Sequence, residues 1–453
     1  MAEPDSPPTS DDCFVRALRR GEPGYGEARD ALSWNRRLAD ARSPAAIVAV
    51  RSANEAAAAV RLARDNGLQV SPRGGGHSYQ AAALRDDCLL LDLAPLGGIE
   101  VNQRAAWVGA GVRGGVLLET LEPYGLAFPI GHCAHVALSG YVLSGGFGWN
   151  SGLWGPASAN VEAIEMVLAD GRIVVATPGE HPDLFWAARG AGAGFFAVVT
   201  AYRLRLHDLP AAAHSLTAAW RVESAPALAD WLTQATRAAP QGVEIAVLVG
   251  PQHETGEPAV ALHASASGAT AAEAREKVAA FASPPAEAEA IEHPRHEDLC
   301  FAELTRLSAM PDGKRVAADH LWSEAPVGEL LMAVRHLAAV PDKASTINIF
   351  ALGGDGRVAL PPDEHGSALS LGGGTGVGIY ALWDDPADDA RHVEWVRAVD
   401  AALTPCRTGR YVGEADLTAG PERRAECFTP AALARLEALR REYDPDGLFP
   451  RWP

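Results

Sequence analysis

Between Gly131 and Trp149 the chain reads GHCAHVALSGYVLSGGFGW, and this stretch limits what the rest can fold into. Glycines at 131, 140, 145, 146 and 148 tell against a regular helix, because glycine loses more backbone entropy on ordering than any other residue. The apolar side chains between them tell against a solvated linker. Such backbone reads as chain wrapped against a flat ligand. A second glycine cluster, Arg73-Gly74-Gly75-Gly76-His77-Ser78, follows the strand pattern LQVSP. Three glycines there permit positive φ and let backbone N–H groups approach a phosphate. A tight turn with a solvated histidine reads as well. The cluster has neither the GxGxxG dinucleotide fingerprint nor a Walker lysine. His132, Cys133 and His135 crowd three candidate metal ligands into four residues, which matches no common zinc spacing.

Around these clusters the periodicity alternates between strand and helix. AAIVAV, the Ala-rich NEAAAAVRLARDNG and LQVSP read as strand, helix and strand. CLLLDLAPL and AAWVGAGV read as further strands and GGVLLETLEPYG as a helix, while IEMVLADGRIVVA reads as a hairpin through Asp170-Gly171. This α/β pattern closes near residue 207. Residues 213–222, 243–250, 258–265, 345–352 and 376–383 read as strands, with helices at 270–281 and 388–403, so the middle reads as an antiparallel sheet covered by helices. Residues 283–295 read as a surface connection. PAALARLEALRREY is a last helix, stopped by Asp444-Pro445-Asp446-Gly447.

At 453 residues the chain is too long for one ordinary domain. The expected division is a flexible N-terminus at 1–22, a first domain at 23–207, a second at 208–404 and a C-terminal segment at 405–453. Lys and Arg total 39 against 57 Asp and Glu, a formal charge of −18 that repels nucleic acid and anionic lipid. Six cysteines without a CxxC pair form neither a disulfide framework nor a zinc module. No basic region followed by an apolar stretch opens the chain, and no apolar run nears the roughly 20 residues that cross a bilayer. A cytoplasmic protein, monomer or homodimer, is expected.

In order, RGGGHS, GHCxxVxxSGYxLSGGFGW, DLFWAARGxGxGFFAVVT and the terminal YDPDGLF resemble the berberine-bridge-enzyme-type flavoproteins of the vanillyl-alcohol-oxidase superfamily. The resemblance runs from about Ala39 to the C-terminus. It implies an α+β protein with a PCMH-type FAD-binding domain of two α/β subdomains, a substrate domain inserted after it, and a C-terminal segment returning to the first domain. It also implies FAD bound covalently through His77 and, as in bicovalent members, Cys133. Arg73, Gly74, Gly75, Gly76, Ser78, Val136, Ser139, Gly140, Leu143, Ser144, Gly145, Gly146, Gly148, Trp149 and Val198 are the implied remaining cofactor contacts. Val136 stands where the family gates oxygen and matches an oxidase.

The sequence departs from the family in its tail, where Tyr-x-Asn-Tyr-x-Asp becomes Tyr411-Val412-Gly413-Glu414-Ala415-Asp416. Either Glu414, raised toward neutrality by burial, is the base, or Glu414 is a solvated acid and Tyr411 or water does that work. Phe147, Trp322 and Tyr380 are candidate substrate contacts, and His320 could reach the same cleft. Phe195, Ala197 and Ser144 also replace family residues. The activity implied is oxidation of a small aromatic or polyketide-like molecule, with hydride passing to flavin N5 and O2 becoming H2O2. A lactone-forming carbohydrate oxidase and a flavin-containing sequestering protein with little turnover are the alternatives.

Overall fold

A computed structural model describes residues 16–252, 255–305, 313–339, 342–354 and 366–452. The first sheet contains β1 (Leu18–Arg19), β2 (Ala46–Ala49), β3 (Val70–Arg73) and β4 (Leu89–Asp92) in the order β1-β2-β4-β3. β2 and β3 both run parallel to β4. The crossover between β2 and β3 is the helix Ala53–Asp65, whose N-terminus is capped by the Ser52 side chain accepting from the Glu55 N–H. Its alanines are buried, as a helix lying flat on a parallel sheet requires. Leu18 pairs with Ile47, so the described end of the expected flexible N-terminus is a sheet edge.

The second sheet takes β5 (Ile99–Asn102), β6 (Ala105–Gly109), β8 (Val161–Val167), β9 (Ile173–Ala176) and β10 (Val198–Arg205), with strand order β5-β6-β10-β8-β9. β8 and β9 form the expected hairpin, turning at Gly171 with φ +82°. The short strands β7 (Leu126–Ala127) and β11 (His207–Asp208) pair with each other beside it.

A third sheet carries the rest: β12 (Ala212–Arg221), β13 (Val243–Pro251), β14 (Pro258–Gly268), β15 (Ala290–Leu299), β16 (Arg315–Ser323), β17 (Thr346–Leu352), β18 (Thr375–Trp383) and β19 (Arg407–Arg410). They run in the order β15-β12-β14-β13-β17-β18-β16-β19. One face is a core of Ile245, Val247, Leu262, Ile347, Ile349, Val377 and Ile379 under the helices Ala225–Ala238, Val327–Val334 and Asp389–Leu403. The alternate residues of the same strands face the other way.

Residues 290–299, read in part as a surface connection, are instead the edge strand β15, paired along β12. Its sequence AIEHPRHEDL has no apolar alternation because both faces stay largely exposed, and charges with a proline suit an edge. The C-terminal helix Pro430–Tyr443 packs on the helix Pro182–Ala187, and the residues after it return to the first half of the chain. There the Leu448 carbonyl accepts from the Val70 N–H at 2.8 Å, and the indole of Trp452 donates to the Ala191 carbonyl at 2.8 Å.

Candidate functional site

The three sheets enclose a cavity of about 590 Å³. One wall is backbone. The turn after β3 lies directly on residues 137–139, and a Cβ on Gly75 would come within 2.9 Å of the Ala137 Cβ. Gly76 has φ +74°, and a Cβ there would run into the Leu32 carbonyl oxygen. These contacts leave room for glycine alone and place His77 and Ser78 on the cavity wall. Arg73, expected at the cofactor, is spent on this turn. It bonds Asp92 at 2.9 Å, the Leu32 carbonyl at 3.0 Å and the Gly75 carbonyl at 3.1 Å.

The second glycine segment forms the facing lip. Gly131 and Gly148 make an isolated antiparallel bridge, so the chain doubles back on itself around Cys133 and the helix Leu138–Leu143. His77 and Cys133, separated by 56 residues, therefore line one cavity, together with Val136, Ser139, Gly140, Leu143, Ser144, Phe147 and Trp149. Gly145, Gly146 and Gly148 lie behind the wall: Gly146 packs under the Tyr141 ring and Gly148 against Ile130. Val198, fully buried in β10, also points away, and its neighbours Ala197 and Val199 line the cavity in its place. The tail supplies Phe449 and Pro450, held by Asp444 accepting from the Leu448 N–H at 2.7 Å and the Phe449 N–H at 3.1 Å.

The opposite wall is the free face of the eight-stranded sheet. In its ladders His320 stands opposite Gly378, which stands opposite Asn348; Trp322 stands opposite Gly376, which stands opposite Phe350. The two glycines make room for large neighbours. A Cβ on Gly376 would fall 2.7 Å from the His320 Nε2, and one on Gly378 would meet the Tyr380 hydroxyl. Trp322 is fully buried and packs behind Phe147 and Tyr411, at ring-centroid distances of 5.2 and 5.8 Å, so it supports the wall without lining it. Phe147 and Tyr380 do line it.

Glu414 sits where this wall meets the tail. Its Oε2 accepts from the Tyr380 hydroxyl at 2.6 Å and lies 3.2 Å from the His320 Nδ1. Burial alone would raise its pKa; the bonds from His320 and Tyr380 and the proximity of His132 outweigh that and hold it below the ordinary glutamate value. The expectation that burial makes Glu414 neutral is thus reversed, and Glu414 is an anion. Burial moves Tyr411 the other way, with the Glu414 charge adding to the effect, so its phenol stays protonated and is a hydrogen-bond donor.

Asp319 fixes the two segments that meet here. Its Oδ1 accepts from the His320 N–H at 2.9 Å and the Asp416 N–H at 3.1 Å, and its Oδ2 accepts from Arg410 and Arg423, both at 2.7 Å. At the far margin buried Glu244 accepts from the Asn150 N–H at 2.5 Å, with the His132 Nε2 at 3.0 Å. Glu244, Asn348, Tyr79 and Gln80 were missed in the sequence. Only the single polar residue inside the apolar TINIFAL strand could have pointed to Asn348.

Three buried polar atoms of cavity-lining residues have no protein partner among the described residues, the Trp149 Nε1, the Gln80 Oε1 and, on the sheet wall, the Asn348 Oδ1. A glycine cradle, orphaned polar atoms and paired His and Cys nucleophiles on one wall fit an FAD.

Comparison with known proteins agrees. Residues 44–177 match the FAD binding domain family. The chain is 27% identical to the FAD-linked oxidoreductase nodO of Hypoxylon pulicicidum over 421 residues, 89% of each chain. It is 29% identical to the (R)-6-hydroxynicotine oxidase of Paenarthrobacter nicotinovorans over 426 residues, 90% of each. The structure of BBE-like 1 from Physcomitrella patens superposes with a TM-score of 0.85 at 21% identity, covering 98% of both chains. The protein carries an FAD binding domain on the berberine-bridge-enzyme-like fold and, like the relatives it matches, is an FAD-linked oxidoreductase. No helix among the described residues is long and apolar enough to cross a membrane.

Proposed function

We propose that the protein is a covalently flavinylated oxidase of a small organic molecule, an aromatic or polyketide-like metabolite in the first instance. The observation that carries this reading is the convergence of His77 and Cys133 on one cavity whose other wall presents the Glu414 carboxylate. His77 and Cys133 would hold the cofactor, one by a ring nitrogen and one by its sulfur. The backbone of Gly74 to Ser78 would face its pyrophosphate. Bound FAD supplies the two-electron acceptor and returns the electrons to O2 as H2O2. Glu414 contributes a fixed negative charge, Tyr380 and His320 orient it, and Tyr411 donates a hydrogen bond.

The carbohydrate alternative gains one observation. Ser215, Ser265 and Asn348 line the cavity, so the wall is more polar than the strand patterns suggested. Acid precipitation of the yellow protein tests attachment, with intact masses of wild type, His77→Ala and Cys133→Ala alongside. Flavin retained by wild type and by each single variant, and released only by the double variant, is the expected result. Flavin washing out of the wild type would overturn both assignments.

A further inference from the structure

Resting on the attachment reading above, we propose that Glu244 is a positioning residue for the flavin bond at Cys133: the eight-stranded sheet reaches across the cavity and holds the loop that offers the thiol. β13 reads VEIAVLVGP, and its alternate residues Val243, Ile245, Val247 and Val249 enter the core under the helices. Glu244, Ala246 and Leu248 face the cavity, and Glu244 is the one charged residue of the strand. A carboxylate 5% exposed in such a row is unfavourable unless it is bonded. Both of its bonds leave its own sheet. One oxygen accepts from the Asn150 N–H at 2.5 Å, and the other meets the His132 Nε2 at 3.0 Å.

Those two residues are the limbs of one loop. The bridge between Gly131 and Gly148 closes it, and His132 and Asn150 stand beside that closure. The His132 ring is held further between Trp149, at 4.7 Å between centroids, and Phe350 of β17, at 5.5 Å. Cys133 follows directly and lines the cavity. Beyond it the chain is tied to its own half. The Ala134 carbonyl accepts from the Gly115 N–H at 2.8 Å, and the Val136 carbonyl from the Gly114 N–H at 2.9 Å. The thiol thus stands between two anchors, one from each half of the chain.

His77 is placed differently. Its turn is fixed by Gly75 on Ala137, by Gly76 on Leu32 and by Arg73, all within the first half of the chain. Loss of the Glu244 anchor should therefore cost the sulfur its geometry and spare the imidazole. A nucleophile reacts from roughly 3–3.5 Å with its orbital aligned, and a displacement of about 1 Å can slow it about a hundredfold. The step balances. The Cys133 S–H bond and one ring C–H bond of the flavin break, one C–S bond forms, and the two protons and two electrons released reduce O2 to H2O2.

Mass analysis of digested, flavin-bearing protein tests this by counting the bonds at residues 77 and 133. In Glu244→Ala the fraction bonded at Cys133 should fall at least about fivefold while the bond at His77 stays. Glu244→Gln keeps an acceptor for the Asn150 N–H and a partner for His132, and should restore most of the loss. Val247→Ala weakens the core on the opposite face of the same strand and should leave both bonds in place. A Cys133 bond retained in Glu244→Ala overturns the proposal, as does a Glu244→Gln variant no better than Glu244→Ala. An equal loss in Val247→Ala, or loss of both bonds together in Glu244→Ala, also overturns it, because stability alone would then explain the effect. A wild type bonded at His77 only removes the Cys133 assignment and this proposal with it, and leaves the oxidase reading standing.

Discussion

A Cβ added to Gly148 would run into the Ile130 carbonyl oxygen, and one on Gly75 would press on Ala137, so the cofactor wall has no spare volume at these points. Across the cavity the wall is made of side chains on a flat sheet, each free to differ without moving backbone: Asn348, Phe350 and Tyr380 come from two strands. One wall is fixed by what the chain can physically do, the other by what the chemistry asks. Substitutions on the first should cost the fold, and substitutions on the second should cost the reaction.

The largest departure from that rule is expected beneath the substrate wall, at Asp319. It is 1% exposed and receives two arginines and two backbone N–H groups. Asp319→Asn keeps the shape but leaves Arg410 and Arg423 short of one negative charge in a buried network with Asp400 and Glu426. Breaking such a network typically costs about 3–5 kcal/mol. Thermal unfolding should show a loss of that size, and a loss under about 1 kcal/mol would mean that the network is solvated.

Next comes the cofactor wall. Gly148→Ala forces backbone apart and should destabilise by about 2–4 kcal/mol. Gly140→Ala, in the same segment but with open space around it, should fall within about 0.5 kcal/mol of wild type. Denaturant midpoints at unchanged m-value read the contrast. Equal effects at the two positions would mean that the close approach to Ile130 is not what fixes this wall.

That contrast also explains what could be read without coordinates. The glycine segments were legible because a glycine requirement is local: close backbone approach writes itself into a run of consecutive residues, and His77 and Cys133 sit inside such runs. Val198 was placed one residue off because strand alternation, not motif membership, decides which side chain reaches the cavity. Glu244, Asn348 and the partners of Glu414 were hidden because they meet only through the register of β13, β17, β18 and β16. The sign of the Glu414 shift was hidden for the same reason. Burial is a property a sequence can suggest, but His320 and Tyr380 arrive from 94 and 34 residues away. β15 was missed because an edge strand needs no apolar face.

The smallest effect is the one that sharpens the substrate wall most. Glu414 is depressed, so a rate that needs its anion should stay flat from neutrality down through the ordinary carboxylate range and fall only as pH drops through the lower folded value. By the same sign, whatever stability its ionisation contributes is present above the unfolded glutamate value and lost below the folded one. His320→Asn removes the strongest of the groups holding it down while Tyr380 and His132 remain. Burial then carries more of the balance, and the acid limb of kcat/KM should move up in pH with little change in its plateau. The side chains facing the carboxylate are Tyr380, His320, Tyr411, Tyr79 and His132, and three of these are phenols that burial keeps protonated. They cannot produce a limb in that range themselves. A limb that stays in place in His320→Asn would therefore assign it to a group other than Glu414, and would return the anionic role on this wall to Glu244.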